Sequence, residues 1–294
     1  MRRIIITVAP TGGTSRTDRN PALPTQPGEI AEDVYRCWQA GAAVAALHAR
    51  RPDGEATCNA EIYQHINQLV RQRCDIIINN STGGGTNGDM LRDRQDGRKE
   101  VSFEERLKAT EAGADMCTFG PQTTSITADG IEMLMETSWS SCLVLASRLQ
   151  ERHIKPEWEV YSPGDLLLAR RLIGLGFDKP PHYFNIVLGA DQHLTGTLPY
   201  TPQILQRMVD DLPRDSVFAV TAFGRAHIRA VTQGLILGGH LRVGLEDTLY
   251  FGPGDLATNV RLVERAVRLI EELGLEVATS SEAREMLGLP QGVL

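Results

Sequence analysis

The 294-residue sequence has no apolar run approaching the roughly 20 residues that span a bilayer, which argues against a membrane helix. It has no basic excess either. Thirty Lys+Arg stand against 37 Asp+Glu, a formal net charge of -7, which argues against a nucleic-acid partner. An anionic substrate therefore needs a local cluster of donors. Cysteines are few and scattered: Cys37, Cys58, Cys74, Cys117 and Cys142 are odd in number and form no CxxC pair. That pattern fits a reducing compartment. The N-terminal apolar run Ile4 to Val8 is too short for a signal-peptide core, and polar residues follow from Thr11. The expected location is the cytoplasm. No low-complexity tract, charge block or Ser/Gly linker divides the chain, so one domain over 1–294 is expected. The Gly-rich dinucleotide fingerprint is missing after the first strand, which weighs against a doubly wound open sheet.

What is present is ordinary globular composition, 41% hydrophobic and 23% charged, at a length that an α/β barrel can occupy. Eight short runs rich in β-branched and aliphatic residues recur: Ile4–Ala9, Ala43–His48, Asp75–Asn80, Ala114–Phe119, Trp158–Tyr161, Tyr183–Leu188, Val217–Ala222 and Leu241–Leu245. Most are continuous, as parallel strands covered on both faces should be. Helical stretches separate them. Ser162-Pro163 and Thr201-Pro202 place a capping residue before a proline suited to the first helical position. Val263, Ala266, Val267 and Ile270 form one apolar stripe. Thr279 to Glu282 is a capping box that opens a last short helix. Eight β-then-α units predict a (β/α)8 TIM barrel with a short C-terminal helical extension.

A barrel carries its site at the C-terminal strand ends. There the sequence places His48-Ala49-Arg50, the run Asn80 to Gly85, Thr118, Glu157 with Glu159, Gly224-Arg225, and Glu246-Asp247. The Gly83-Gly84-Gly85 turn serves either a tight connection or an anion cradle, and Arg225 either the site or the rim. The basic residues of Arg92–Lys99 are expected on a solvated surface. Along the last strand Arg242 and Glu246 share a face opposite Leu241, Val243 and Leu245, so Arg242 is expected to point inward. A buried guanidinium needs a carboxylate or substrate beside it. Adjacent carboxylates at a sheet end suit metal ligation or proton transfer.

Four stretches resemble the β-keto acid cleavage enzymes, a family that includes the 3-keto-5-aminohexanoate-cleaving enzyme. They are GAAVAALHARRPDG from Gly41 to Gly54, Ser81 to Gly85, Ile154 to Glu157, and GGHLRVGLED from Gly238 to Asp247. The resemblance runs from Ile4 to the helix at Glu282–Leu289. It implies a (β/α)8 barrel, a homotetramer, and a divalent metal, normally zinc. It also implies a reaction of a β-keto acid with acetyl-CoA, giving acetoacetate and a new acyl-CoA. By that resemblance the metal ligands are His48 and Glu246. The family's other histidine falls on Ala46, so a weakened zinc site is expected. Asp247 matches the general base, Arg242 its partner, and Glu157 a site acid, with Glu159 as an alternative alignment. Ser81, Thr82, Gly84 and Thr118 match positions that hold the keto acid. The loop Thr11-Gly12-Gly13-Thr14 lacks an acidic residue that some members carry there. Glu246 is expected within direct or water-bridged reach of His48, with His240 ahead of its strand at the opposite end of the barrel. Two other readings remain: a lyase or aldolase on another oxo acid with little or no metal, and a non-catalytic binder of acyl-CoA or keto acid.

Overall fold

The apolar runs pair side by side in chain order. In the computed structural model, which describes residues 1–128 and 130–291, eight parallel strands close into a barrel among the described residues. Residues 129 and 292–294 of the expected domain lie outside the described residues. The strands are β1 (Ile6–Val8), β2 (Val44–Leu47), β3 (Ile77–Asn80), β4 (Met116–Phe119), β5 (Lys155–Val160), β6 (His182–Leu188), β7 (Ser216–Ala222) and β8 (His240–Val243). The ring closes where Arg242 of β8 registers with Thr7 of β1. Between the strands come α1 (Pro27–Gln39), α2 (Ala60–Arg71), α3 (Phe103–Leu107), α4 (Trp139–Glu151), α5 (Pro163–Gly174), α6 (Pro202–Asp210) and α7 (His227–Ile236); α8 (Asn259–Glu272) and α9 (Ser280–Leu287) follow β8.

Alternation along each strand sorts the side chains into two environments. Ile6, Val8, Leu47, Ile78, Phe119, Trp158, Phe184, Val220 and Leu241 pack outward against the helices. Their neighbours Ile5, Val44, Ile77, Met116, Tyr183 and Ala219 form a separate apolar cluster with Ala283 and Leu287 of α9. That cluster plugs the bottom of the barrel. Two residues further along the strands the inward positions turn polar, with Thr7, Asn79, Thr118, Glu157, Asn185, Thr221 and Arg242 all buried. The caps form as their residues dictate. Thr201 Oγ1 accepts from Ile204 N, and Asp165 Oδ2 accepts from the Ser162 N–H. The Glu282 carboxylate accepts from Thr279 N.

Two expectations need correction, and a third segment is solvated as expected but has structure the sequence did not show. β5 begins at Lys155, three residues before the expected start, so Glu157 and Glu159 both lie within it. His240 opens β8 rather than preceding it, although its Nδ1 accepts from Ile5 N at the end of the barrel away from Glu246 and Asp247. The Arg92–Lys99 segment is an antiparallel hairpin, Leu91–Asp93 with Lys99–Val101, in a four-stranded sheet with Thr124–Ala128 and Ile131–Met135. Its charges are solvated and paired, as Lys99 with Asp93 at 2.7 Å. Charge on both strands had hidden the hairpin.

At the β1–β8 seam the two backbones touch. A methyl on Gly244 would lie 2.0 Å from the Ala9 carbonyl oxygen. Ala9 N donates to Val243 O at 2.9 Å, and Glu246 N donates to Ala9 O at 3.2 Å. Gly244→Ala should cost about 1–3 kcal/mol by overpacking, read as a lower urea midpoint. An unchanged midpoint would show that the two strands can move apart.

Candidate active site

Arg242 is the centre of the rim. Its buried guanidinium meets Glu246 Oε1 through Nη2 at 2.6 Å. It also grips Asp247 as a fork, Nη2 to Oδ1 at 2.9 Å and Nε to Oδ2 at 3.2 Å. Nη1 reaches Glu159 Oε1 at 3.3 Å. Strict alternation would have turned Asp247 away from Arg242. Instead β8 ends at Val243, and the Asp247 and Thr248 N–H groups both donate to Gly244 O at 3.1 Å. This turn brings both carboxylates onto one cation. Asn259, at the start of α8, locks the turn by accepting from Leu245 N at 2.8 Å.

His48 stands opposite. Its Nδ1 lies 2.7 Å from Gly84 O, and a carbonyl only accepts, so the proton is on Nδ1. Nε2 then faces Glu246 Oε1 at 3.4 Å, the direct reach expected. An imidazole so committed faces a carboxylate as an imidazolium or across a cation. Glu246 Oε2 is buried without a hydrogen-bond partner. Nε2 and this orphaned oxygen fit a divalent ion with two protein ligands, fewer than the three usual at a catalytic zinc. Ala46, inward on β2 beside Asn79, offers only a methyl. Among the described residues, no group of three or more His, Cys, Asp or Glu gathers as a metal site.

Two glycine pairs set the floor near His48. A methyl on Gly13 would lie 2.0 Å from Gly84 O, and one on Gly85 would lie 2.7 Å from Gly13 O. The opening loop and the turn after β3 therefore touch backbone to backbone. Arg50 ties the loop down, its Nη2 donating to Gly12 O and Ser15 O at 2.7 Å each. Ser81 lines the cavity, its Oγ accepting from Gly83 N at 3.1 Å. Thr82 and Thr118 do not line it. Thr82 N donates to Thr118 Oγ1 at 2.9 Å and Thr82 Oγ1 to Thr118 O at 2.8 Å, so each holds the other beneath the turn. Glu157 also lies below the cavity, with Asn79 Nδ2 donating to its Oε2 at 2.6 Å. Of the two glutamates, Glu159 lines the cavity. Arg225 is an exposed residue of its rim.

One guanidinium faces more carboxylates than it can offset. Burial raises Glu246, but Arg242 and then His48 outweigh it and hold the carboxyl at about 2. Burial pushes Asp247 up to about 7, with Arg242 opposing and Glu246 adding. Burial, then the neighbouring Glu157, raises Glu159 to about 7 against the pull of Arg242. Glu157 also moves up, mainly by burial. The cluster thus keeps an ionised Glu246 beside carboxyls poised near neutrality, the separation that acid–base work needs.

Sequence reasoning missed Asn79 and Asn259, and it placed Arg50 at the rim without its role of tying down the opening loop. Asn79 stands two residues from Ser81 and so shares its face. That periodicity was the available signal. Asn259 offered none, because its partners Pro10 and Leu245 are distant in the chain.

Barrel and cluster together define a (β/α)8 protein with a buried acid–base site at its C-terminal rim. Residues 3–289 match the beta-keto acid cleavage enzyme family, and the chain belongs to it. It is 34% identical over 291 residues to the 3-keto-5-aminohexanoate cleavage enzyme of Fusobacterium nucleatum, covering 98% of this chain and 99% of that protein. A 3-oxoadipate:acetyl-CoA acetyltransferase of Cupriavidus necator is 28% identical over 290 residues, covering 97% and 95%. Among solved structures, the ternary complex of ObcA with C4-CoA adduct and oxalate superposes with a TM-score of 0.73 at 19% identity. The match covers 92% of this chain and 68% of ObcA in that complex, and 66% of ObcA in its apo structure. At that identity the likeness shows the fold.

The raised Glu159 predicts a pH dependence of stability. Its unfolded carboxyl titrates near the usual value of about 4.3, and its folded one at about 7. The folded state binds more protons between these values, so this group's contribution to stability rises as pH falls from about 7 to 4. Glu159→Gln should therefore gain on wild type at pH 8, with the gain shrinking toward pH 5 in urea unfolding. A pH-independent difference would contradict the raised carboxyl.

Proposed function

We propose that this protein cleaves a β-keto acid with acetyl-CoA, giving acetoacetate and a new acyl-CoA. The observation that carries the reading is the Arg242–Asp247 fork beside the Glu246–His48 pair, on a chain of this family. The names of the relatives support acetyl-CoA as co-substrate. Asp247, with its carboxyl near neutrality, takes the proton from the carbon between the two carbonyls. Arg242 fixes both Asp247 oxygens, orients the base, and stabilises the carboxylate before the transfer. The Ser81 hydroxyl and the glycine turn hold the substrate carboxylate, and the Thr82–Thr118 pair keeps that turn in place. Glu159 serves as the acid beside the base, with Glu157 behind it.

His48 Nε2 and Glu246 would hold a divalent ion, zinc by preference. When bound it supplies Lewis-acid polarisation of the ketone, worth several kcal/mol. Ala46 favours one other reading, a lyase or aldolase on an oxo acid with little or no metal. We further read the protein as one domain and a cytoplasmic homotetramer. The five unpaired cysteines, four of them buried, support a reducing compartment. The exposed Leu167 and Leu175 on the α5 side support an assembly. No helix among the described residues is long and apolar enough to cross a membrane.

Incubation with acetyl-CoA and a panel of β-keto acids should yield acetoacetate and the matching acyl-CoA. Cleavage without acetyl-CoA would instead support the lyase, and binding without turnover a non-catalytic protein. Asp247→Asn should lower turnover by roughly 10²–10⁴; near-native turnover would remove this residue from the mechanism.

Ala46→His should restore a second imidazole on the inward face of β2 and tighten zinc, measured by competition with a chelator dye. Unchanged zinc affinity would refute the metal reading at His48.

A further inference from the structure

A second guanidinium is buried behind the site, and no carboxylate meets it. Arg106, on α3, is 2% exposed. Its Nε donates to Thr82 O at 2.9 Å, and its Nη1 donates to Glu136 O at 3.1 Å and Thr137 Oγ1 at 3.0 Å. All three acceptors are uncharged. The acids beside it on the helix have other partners. Glu105 meets Arg92 at 3.3 Å and Lys108 at 2.6 Å, and Glu104 accepts from Ser102 Oγ at 3.1 Å. The Phe103 ring centre lies 5.6 Å from its Cζ, and Arg106 makes no ion pair among the described residues. Burial lowers its pKa, and the groups that oppose this are Cys58, Cys142 and Tyr161, with no carboxylate among them. An arginine stays charged even so. Desolvating a charge without a counter-charge is costly. A cation so placed calls for an anion from outside the chain.

The route from Arg106 to the cavity is short. Thr82 O belongs to the Thr82–Gly83 peptide, which is trans. In a trans peptide the C=O and N–H point in opposite directions. Arg106 holds the carbonyl, so the Gly83 N–H points away from it and donates to Ser81 Oγ at 3.1 Å. The Ser81 hydroxyl proton has no acceptor among the described residues. Ser81 and Gly83 both line the cavity. Cation, peptide and hydroxyl thus stand in series, each donor aligned with the next. Hydrogen bonds in such a chain polarise one another where the dielectric is low. The series ends in a free O–H donor on the cavity wall.

We propose that Arg106 is a positioning residue for the substrate carboxylate, a buried counter-charge that acts through the Thr82–Gly83 peptide and the Ser81 hydroxyl without touching the substrate. The assignment rests on the reading that Ser81 and the glycine turn hold the keto acid. It follows that the turn selects an ionised carboxylate over a neutral ester of the same shape. With roughly 10 Å between the charges and an effective dielectric of about 20, their attraction corresponds to about tenfold in affinity. The competing role is structural, since Arg106 also pins Glu136 and Thr137 beside the four-stranded sheet. That role would act on charged and neutral ligands alike.

Calorimetry with acetoacetate and its neutral methyl ester separates the two roles. Wild type should bind acetoacetate at least about tenfold more tightly than methyl acetoacetate. Arg106→Gln keeps a donor for Thr82 O and loses the charge. It should lose about tenfold in affinity for acetoacetate, with its affinity for the ester within about twofold of wild type. Arg106→Lys keeps the charge and should retain the preference for the anion. An equal loss for both ligands in Arg106→Gln, no loss for either, or a wild type without the preference would overturn the counter-charge. So would a wild type that does not bind acetoacetate. Should Arg106→Gln fail to fold, Arg106→Lys decides: a folded Arg106→Lys that has lost the preference refutes the role of charge, and one that keeps it supports that role. Turnover is read separately. If the preference follows the charge at Arg106 while no β-keto acid turns over with acetyl-CoA, the counter-charge stands and the proposed reaction falls. If cleavage proceeds and the preference ignores that charge, the reverse holds.

Discussion

The candidate site depends on a single buried cation. Arg242 is shared by Asp247, Glu246 and Glu159, and its field reaches Glu157 below. Burying a guanidinium carries a desolvation cost that only well-placed carboxylates offset. Here there are more carboxylates than one positive charge can serve. Glu246 takes the larger share because His48 assists it, and it stays ionised. Asp247 and Glu159 are left to titrate near neutrality. The proton-transfer capacity of this rim thus follows from an imbalance of charge in a dry place, with no unusual residue. Removing Arg242 would leave several carboxylates buried with no cation beside them, so its structural and chemical roles cannot be separated.

Geometry around that cation is held by contacts between backbones. The opening loop and the turn after β3 approach so closely that Gly13 and Gly85 have no room for a side chain. Gly244 does the same at the β1–β8 seam. Polar side chains then fix the loops from outside the cluster: Arg50 on the opening loop, Asn259 on the turn that carries Glu246 and Asp247. The residues that face substrate are thereby spared from holding the fold. Thr82 and Thr118 show the reverse case, since their groups are spent on each other.

Much of this was legible in the sequence, for physical reasons. Continuous apolar runs at regular spacing specify parallel strands covered on both faces, and the eight runs became the eight barrel strands. Alternation correctly turned Arg242 inward, because residues 240–243 are extended. It failed for Asp247 one turn later, where Gly244 lets the chain leave the strand. The resemblance placed the site acid at Glu157 or Glu159, but only the register of β5 shows which one meets the cavity. The hairpin within 91–101 was hidden because its strands carry charge on both faces. Asn259 was illegible because its partners are more than ten residues away in the chain.

Net charge does not fix the sign of a small ligand, for a physical reason. A protein of charge -7 disfavours anions at long range, yet screening confines that field to about 10 Å or less at physiological salt. Inside the cleft the local arrangement governs. The acids nearest the reacting centre are bound to Arg242, so they present little free negative charge to a keto acid. Arg225 and Arg229, which also line the cavity, have no carboxylate partner among the described residues. Where local negative charge is compensated and a cation is not, low-dielectric walls focus the field that an anion meets. The barrel makes the division possible, because the loops of opposite strands meet at one rim while their charges are set independently.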